Sequence, residues 1–154
     1  LNLNPGHFTL RTAEDLFRKL ERDFELIRAR PLDSDVCFNF FVTAEHLPEW
    51  HFKGDSKKAA AHRNSKALLR VCSHLANGAK HFRVNGHSSV GSTNYASVVS
   101  YVSVGDPPKP EPSGTEMRFS VQFTEEEFAE LGHEMTVDML GAKLLEHWRQ
   151  ELVR

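Results

Sequence analysis

A chain of 154 residues that is 40% hydrophobic, with eleven Phe and a net charge of −2, can bury one core without a metal or disulfide staple. That apolar content excludes a disordered chain, and the slightly acidic balance excludes nucleic-acid binding by the whole surface. The two cysteines, Cys37 and Cys72, lie in separate apolar runs; this excludes a disulfide framework and implies buried thiols in a reducing compartment.

The N-terminal string LNLNPGHF has neither a basic n-region nor a long apolar h-region. The longest apolar run, Val36 to Ala44, is interrupted by Asn39 and Thr43, too short to span a bilayer. The expectation is a soluble, cytoplasmic, single-domain protein without a membrane segment. Leu1 stands where an initiator Met is expected, which points to preceding residues, a short targeting segment among the options.

Thr12 and Asp15 form a capping-box pattern, and Ala13, Leu16, Phe17, Leu20, Phe24 and Ile27 then recur at helical spacing until Pro31. Asp33 or Ser34 can cap a second helix, VCFNFFVTAEHL, apolar on nearly every side. It therefore reads as the buried central helix, with Asn39 in need of hydrogen-bond partners. Pro48 is expected to bend or end it, with Trp50 and Phe52 packed at the bend.

A third helix is predicted from Ser56 to Ala79, its core stripe Leu68, Val71, Cys72, Leu75 and Ala79. Beyond His81 the period changes. Tyr95 to Val104 has strand composition, and Met117, Phe119, Val121 and Phe123 alternate with polar residues as in a half-buried strand. The proline-rich string GDPPKPEPSG, residues 105–114, reads as an exposed loop joining them into an antiparallel hairpin. Thr124 with Glu127 makes another capping box, Gly132 ends that turn, and Thr136 can cap a last helix burying Met139, Leu140, Leu144, Leu145, Trp148 and Leu152. One uninterrupted helix from Glu125 to Val153 is the alternative. The fold class is thus α+β: a mainly helical bundle of about four helices, helical over 12–80, with a hairpin region over 81–123 inserted before helical residues 124–153.

Charge is unevenly spread along this plan. The fifty residues from Ser56 to Gly105 hold seven of the 19 Lys and Arg, four of the nine His and none of the 21 Asp and Glu. On a helical wheel Arg63, Arg70, His74, Asn77 and His81 of the third helix share one face, with Lys80 and Arg83 at its exit. Such a kit could cleave RNA without a metal: His74 or His81 as acid or base, Lys80 or Arg70 on a developing oxyanion, and Arg63, Asn77 and Arg83 as ligand contacts. Alternatively the face is a solvated surface paired with the protein's own acids. The Asn77-Gly78 pair equally fits a helix C-terminal turn. His46 with His51, or His74 with His81, could join a metal site, but no HExxH or Cys-x-x-Cys string accompanies them. No phosphate-binding glycine loop or nucleophile elbow is present, and no cofactor is expected.

The strings FNFFVTAEHLPEW (38–50) and CSHLANGAKHF (72–82), with LLEHW in the last helix, resemble a family of small uncharacterised bacterial proteins. That family combines a helical N-terminal half, an Asn-Gly-x-Lys-His string and a β-hairpin before the last helix. The resemblance implies this fold and no assigned activity. A more distant similarity is to HEPN-type helical bundles, often ribonucleases or nucleotide-modifying partners, whose signature has four to six residues between Arg and His; here Arg63 has no His at that distance, and only three residues separate Arg70 from His74. The leading expectation is a non-catalytic interaction or regulatory protein of bacterial type, a candidate homodimer, docking through the third-helix face or the hairpin onto itself or another protein. The alternative is a metal-independent ribonuclease or phosphate-ligand-binding protein.

Overall fold

The structure is a computed structural model that describes residues 8–80, 92–132 and 134–153, with residues 79, 80, 92–97, 99 and 100 described through their backbone alone. The elements in chain order are α1 (Ala13–Ala29), α2 (Ser34–His51), α3 (Ser56–Asn64), α4 (Ala67–Lys80), β1 (Ser92–Val104), β2 (Lys109–Gln122), α5 (Glu125–Leu131), β3 (Met135–Thr136) and α6 (Val137–Val153). This is a mainly helical α+β architecture with a hairpin before the last helix. No helix among the described residues is long and apolar enough to cross a membrane.

Local chemistry sets the helix ends. Thr12 Oγ1 accepts from the Asp15 backbone N–H at 3.2 Å while the Asp15 carboxylate accepts from the Thr12 N–H at 3.1 Å, closing the expected capping box of α1. Asp33 caps α2 through the N–H groups of Asp35 and Val36. The box of Thr124 and Glu127 starts α5, which ends on Gly132 in a left-handed conformation, φ 86°.

α1, α2, α4 and α6 enclose the core, in which Leu20, Phe40, Leu47, Val71, Leu140, Leu144 and Trp148 are fully buried. Phe40 stacks edge-on against Phe41 at 5.2 Å and tilts against Phe24 at 5.9 Å. Gly141 of α6 meets the same rings: a Cβ there would lie 2.9 Å from Phe24 Cε2 and 3.3 Å from Phe40 Cζ. A buried polar network also joins α1 to α2. Lys19 Nζ contacts Thr43 Oγ1 at 2.9 Å and the Asp23 carboxylate, and Thr43 Oγ1 lies 3.0 Å from Asp23 and 2.7 Å from the Asn39 carbonyl.

The sheet order is β1-β2-β3, antiparallel throughout. β3 pairs only with Ser120 and Val121 at the base of β2, where Val121 and Met135 are buried. Arg118 reaches Asp138 of α6 at 3.9 Å and pins this base to the helices. Beyond it β1 and β2 run on alone. Residues 109–117 of β2 are all exposed, as are Val98, Tyr101, Val102 and Val104 of β1. At about 3.4 Å per residue, the part from Ser97 to Val104 is an arm on the order of 24 Å long.

Several expectations are corrected. The third helix is two, α3 and α4, broken at Ser65 and Lys66. The proline-rich loop shrinks to Gly105–Pro108, and Pro110 and Pro112 sit within β2, paired with Ser103 and Tyr101. An extended strand tolerates proline where its missing donor faces away from the partner. α2 is not buried all round: Phe38 and Asn39 are exposed, and Asn39 supplies only its carbonyl to Thr43. Pro48 neither ends nor precedes the end of α2 by more than a turn, since the helix continues to His51 and the Pro48 carbonyl accepts from Phe52. α5, β3 and α6 replace the uninterrupted alternative helix, and Met139 of the expected buried side of α6 is exposed.

Gly141→Val tests the close approach of α6. Overpacking against Phe24 and Phe40 is expected to cost about 1–3 kcal/mol in urea unfolding, despite the loss of a helix-weakening glycine.

Candidate functional site

The break between α3 and α4 rearranges the basic face. Ser65 Oγ donates to the His62 carbonyl at 2.7 Å and turns the chain out of α3. The free N-terminus of α4 is then capped from a distance: the Glu130 carboxylate accepts from the Ala67 N–H at 2.6 Å and from Arg70 at 3.1 Å. These bonds, the backbone one foremost, hold the Glu130 carboxyl below its ordinary range.

Arg63, on the other side of the break, leaves the predicted stripe. Its guanidinium lies 2.9 Å from the Glu45 carboxylate and 3.2 Å from the Glu45 carbonyl on α2, with the two side chains 23% and 11% exposed. Arg70 faces α5, where Glu130 at 3.1 Å and Glu126 at 3.8 Å balance it, and it also donates to the Asn64 carbonyl. His74 and Asn77 follow Arg70 along α4, both half-buried. Asn77 Nδ2 donates to the Ser73 carbonyl one turn back at 2.9 Å. Lys80 closes α4, and His81 and Arg83 lie outside the described residues. Of the predicted constellation, α4 keeps Arg70, His74 and Asn77 on one stripe, and the two arginines each meet an internal carboxylate.

A second cluster was not foreseen. His147 of α6 is buried, and its Nε2 lies 3.1 Å from Nε2 of His62 on α3. Lys66 Nζ lies 3.5 Å from His147 Nδ1. An ammonium only donates, so the Lys66 contact is directed at Nδ1 as an acceptor. The rings of Trp148, His51 and Phe52 close around the pair: His62 stands 5.2 Å from Trp148 and 5.5 Å from Phe52, and His51 stands 5.9 Å from Trp148. Burial in this apolar box pushes the His62 pKa down against the opposing pull of Glu151, with His51, Lys66 and Arg63 adding to the depression. No local signal marks this pair, whose members are 85 residues apart; only the packing of α3 on α6 brings them together.

Two histidines and a lysine are the groups that metal-independent phosphoester cleavage needs, but here the imidazoles touch. A phosphoryl group needs hydrogen-bonding room on both sides, and a 3.1 Å contact leaves none between them. Among the described residues no three His, Cys, Asp or Glu side chains converge as a metal site. Burial, then Asp33 and Asp138, push the Cys37 thiol up to about 11, far from a reactive thiolate. A shallow cleft of about 520 Å³ between α1 and α6 is lined by Arg18, Glu21, Arg22, Phe24 and Arg149, and Arg149 in it already binds Glu21 at 3.3 Å.

The remaining feature is the arm. β1 contains no charged residue, whereas β2 carries Lys109, Glu111, Glu116 and Arg118. Comparison with family models, with curated proteins and with solved structures finds no match to this chain.

Two outcomes check this geometry. Arg63→Ala leaves the Glu45 carboxylate largely buried and is expected to cost about 2–3 kcal/mol in chemical unfolding, while Arg70→Ala, at a more exposed pair, costs about 1 kcal/mol. Because the folded-state pKa of His62 is depressed, its contribution to stability is complete above its ordinary value of 6.5 and is lost as pH falls below it. The His62 imidazole is expected to titrate below 6.5 by NMR, and His62→Gln to flatten the part of the melting-temperature decline that wild type shows over that range.

Proposed function

We propose that this chain is a non-catalytic interaction protein, in which a helical body presents the β1–β2 arm to a partner. The observation that carries the reading is the arm itself: a two-stranded extension, exposed over residues 109–117 of β2 and at Val98, Tyr101, Val102 and Val104 of β1. A two-stranded ribbon is marginal on its own in water. Its large apolar side chains bury little against their own domain, and a partner surface would give them that burial.

Two further observations support this reading over RNA cleavage or phosphate binding. The guanidinium groups of Arg63 and Arg70 have carboxylate partners within the protein, so an incoming phosphate would have to displace them. The His62–His147 contact is better suited to rigidifying the α3–α6 junction than to flanking a substrate. The two free thiols, one buried and one half-buried, support work in a reducing compartment such as the cytoplasm.

The test is to shorten the arm at a register pair. Val98 lies opposite Glu116, so residues 99–115 can be replaced by Asn-Gly, a two-residue hairpin turn. The helical circular dichroism and melting temperature are expected to stay within a few degrees of wild type. Unfolding of the helical body would show that the arm belongs to the core and would sink the reading.

A further inference from the structure

The two edges of the arm are chemically different. Along β2, the side away from β1 is taken at the base by β3. Toward the tip, Pro110 and Pro112 share one parity and lack N–H groups, so that edge cannot offer a full ladder of donors. β1 has neither protection. Among the described residues it pairs with β2 alone, it has no proline, and over thirteen residues, STNYASVVSYVSV, it has no charge. Natural edge strands are usually blunted by lysine, proline, a bulge or a covering element. In this hairpin the shift of register at Ser100/Tyr101 leaves Ser113 of β2 without a partner, so the extra residue of the bulge lies on β2.

We infer that the outer edge of β1 is a homodimer interface, in which β1 of a second copy adds antiparallel to form one continuous six-stranded sheet. This rests on the arm being the docking element.

Three features of β1 select a second copy as the occupant. An antiparallel twofold axis perpendicular to the sheet keeps each residue on its own face, so it must pass through a residue position rather than between two. Val98 is the midpoint of Ser92–Val104, and an axis there overlaps the strands completely, with Ser92 opposite Val104 of the second copy. In that register Tyr95 falls opposite the second copy's Tyr101, Ala96 opposite Ser100, Thr93 opposite Ser103 and Val98 opposite itself, while Ser97 meets Val99 and Asn94 meets Val102. Cross-strand aromatic and β-branched pairs of this kind stabilise antiparallel ladders. Finally, β1 brings no like charges together, whereas the charges of β2 stay a strand away on each side. Pairing of the full length would form about one backbone hydrogen bond per residue, roughly thirteen in all.

Sedimentation and light scattering at micromolar concentration are expected to give twice the 17.5 kDa chain mass for the wild type. Val98→Lys and Val98→Glu each place like charges against one another at the axis, and each is expected to run as a monomer with unchanged helical dichroism. Mixing the two restores a dimer that contains one of each. Val98→Cys supplies a second measurement that needs no charge: mild oxidation links it across the axis, and Val104→Cys, which faces Ser92, does not link. A wild-type monomer overturns the inference. If its β1 amides resist hydrogen exchange, the edge is covered within the chain; if they exchange freely, it is open to a different partner. A dimer that persists in both charge variants also overturns it, by placing the interface elsewhere. Either result leaves the arm reading intact as long as the shortened arm does not unfold the body, so the two failures are distinguishable.

Discussion

The missing side chain at Gly141 governs how the last helix meets the first two. With only a hydrogen there, the Phe24 and Phe40 rings reach to about 3 Å of where a Cβ would stand, and α6 lies down across α1 and α2. Everything that α6 carries follows from that approach. Its N-terminal end holds Asp138 against Arg118 and so fixes the root of the hairpin, while nearly two turns beyond Gly141 it seats His147 and Trp148 against α3. One close contact thus sets the positions of both the arm and the histidine pair, although the two lie at opposite ends of the helix.

Two arginines of the acid-free stretch are balanced by acids from other helices. Arg63 is balanced by α2, and Arg70 by α5, whose Glu130 also supplies the N–H acceptor that α4 lacks in its own sequence. At these two positions basic groups on α3 and α4 meet carboxylates that their own segment does not contain. An ion pair with one partner 11% exposed is kept because removing either half strands the other.

What was legible in the sequence was what local chemistry decides. The boxes at Thr12 and Thr124 and the Gly132 stop involve groups a few residues apart and stand where the pattern put them, and of the two caps open to α2 the structure uses Asp33. The break after Asn64 was not legible, because Ala, Lys and Ser on both sides satisfy a helix and the cap for the new one comes from Glu130, 63 residues on. Pro110 and Pro112 read as loop because a proline in a sheet interior costs a ladder bond; in a two-stranded arm one side needs no donor, and the strand passes through them. The contact between His62 and His147, and the network of Lys19, Asp23 and Thr43, depend on the packing of whole helices. No spacing within the chain encodes them.

The prolines in β2 have a consequence for stoichiometry. A hairpin with two equal edges can recruit neighbours on both sides and grow without limit, as fibrils do. Here the β2 side is covered by β3 near the body and interrupted by donorless prolines toward the tip, so the two edges are not equivalent for strand addition. An arm with unequal edges favours addition on one side, which limits growth at the first strand added rather than propagating it.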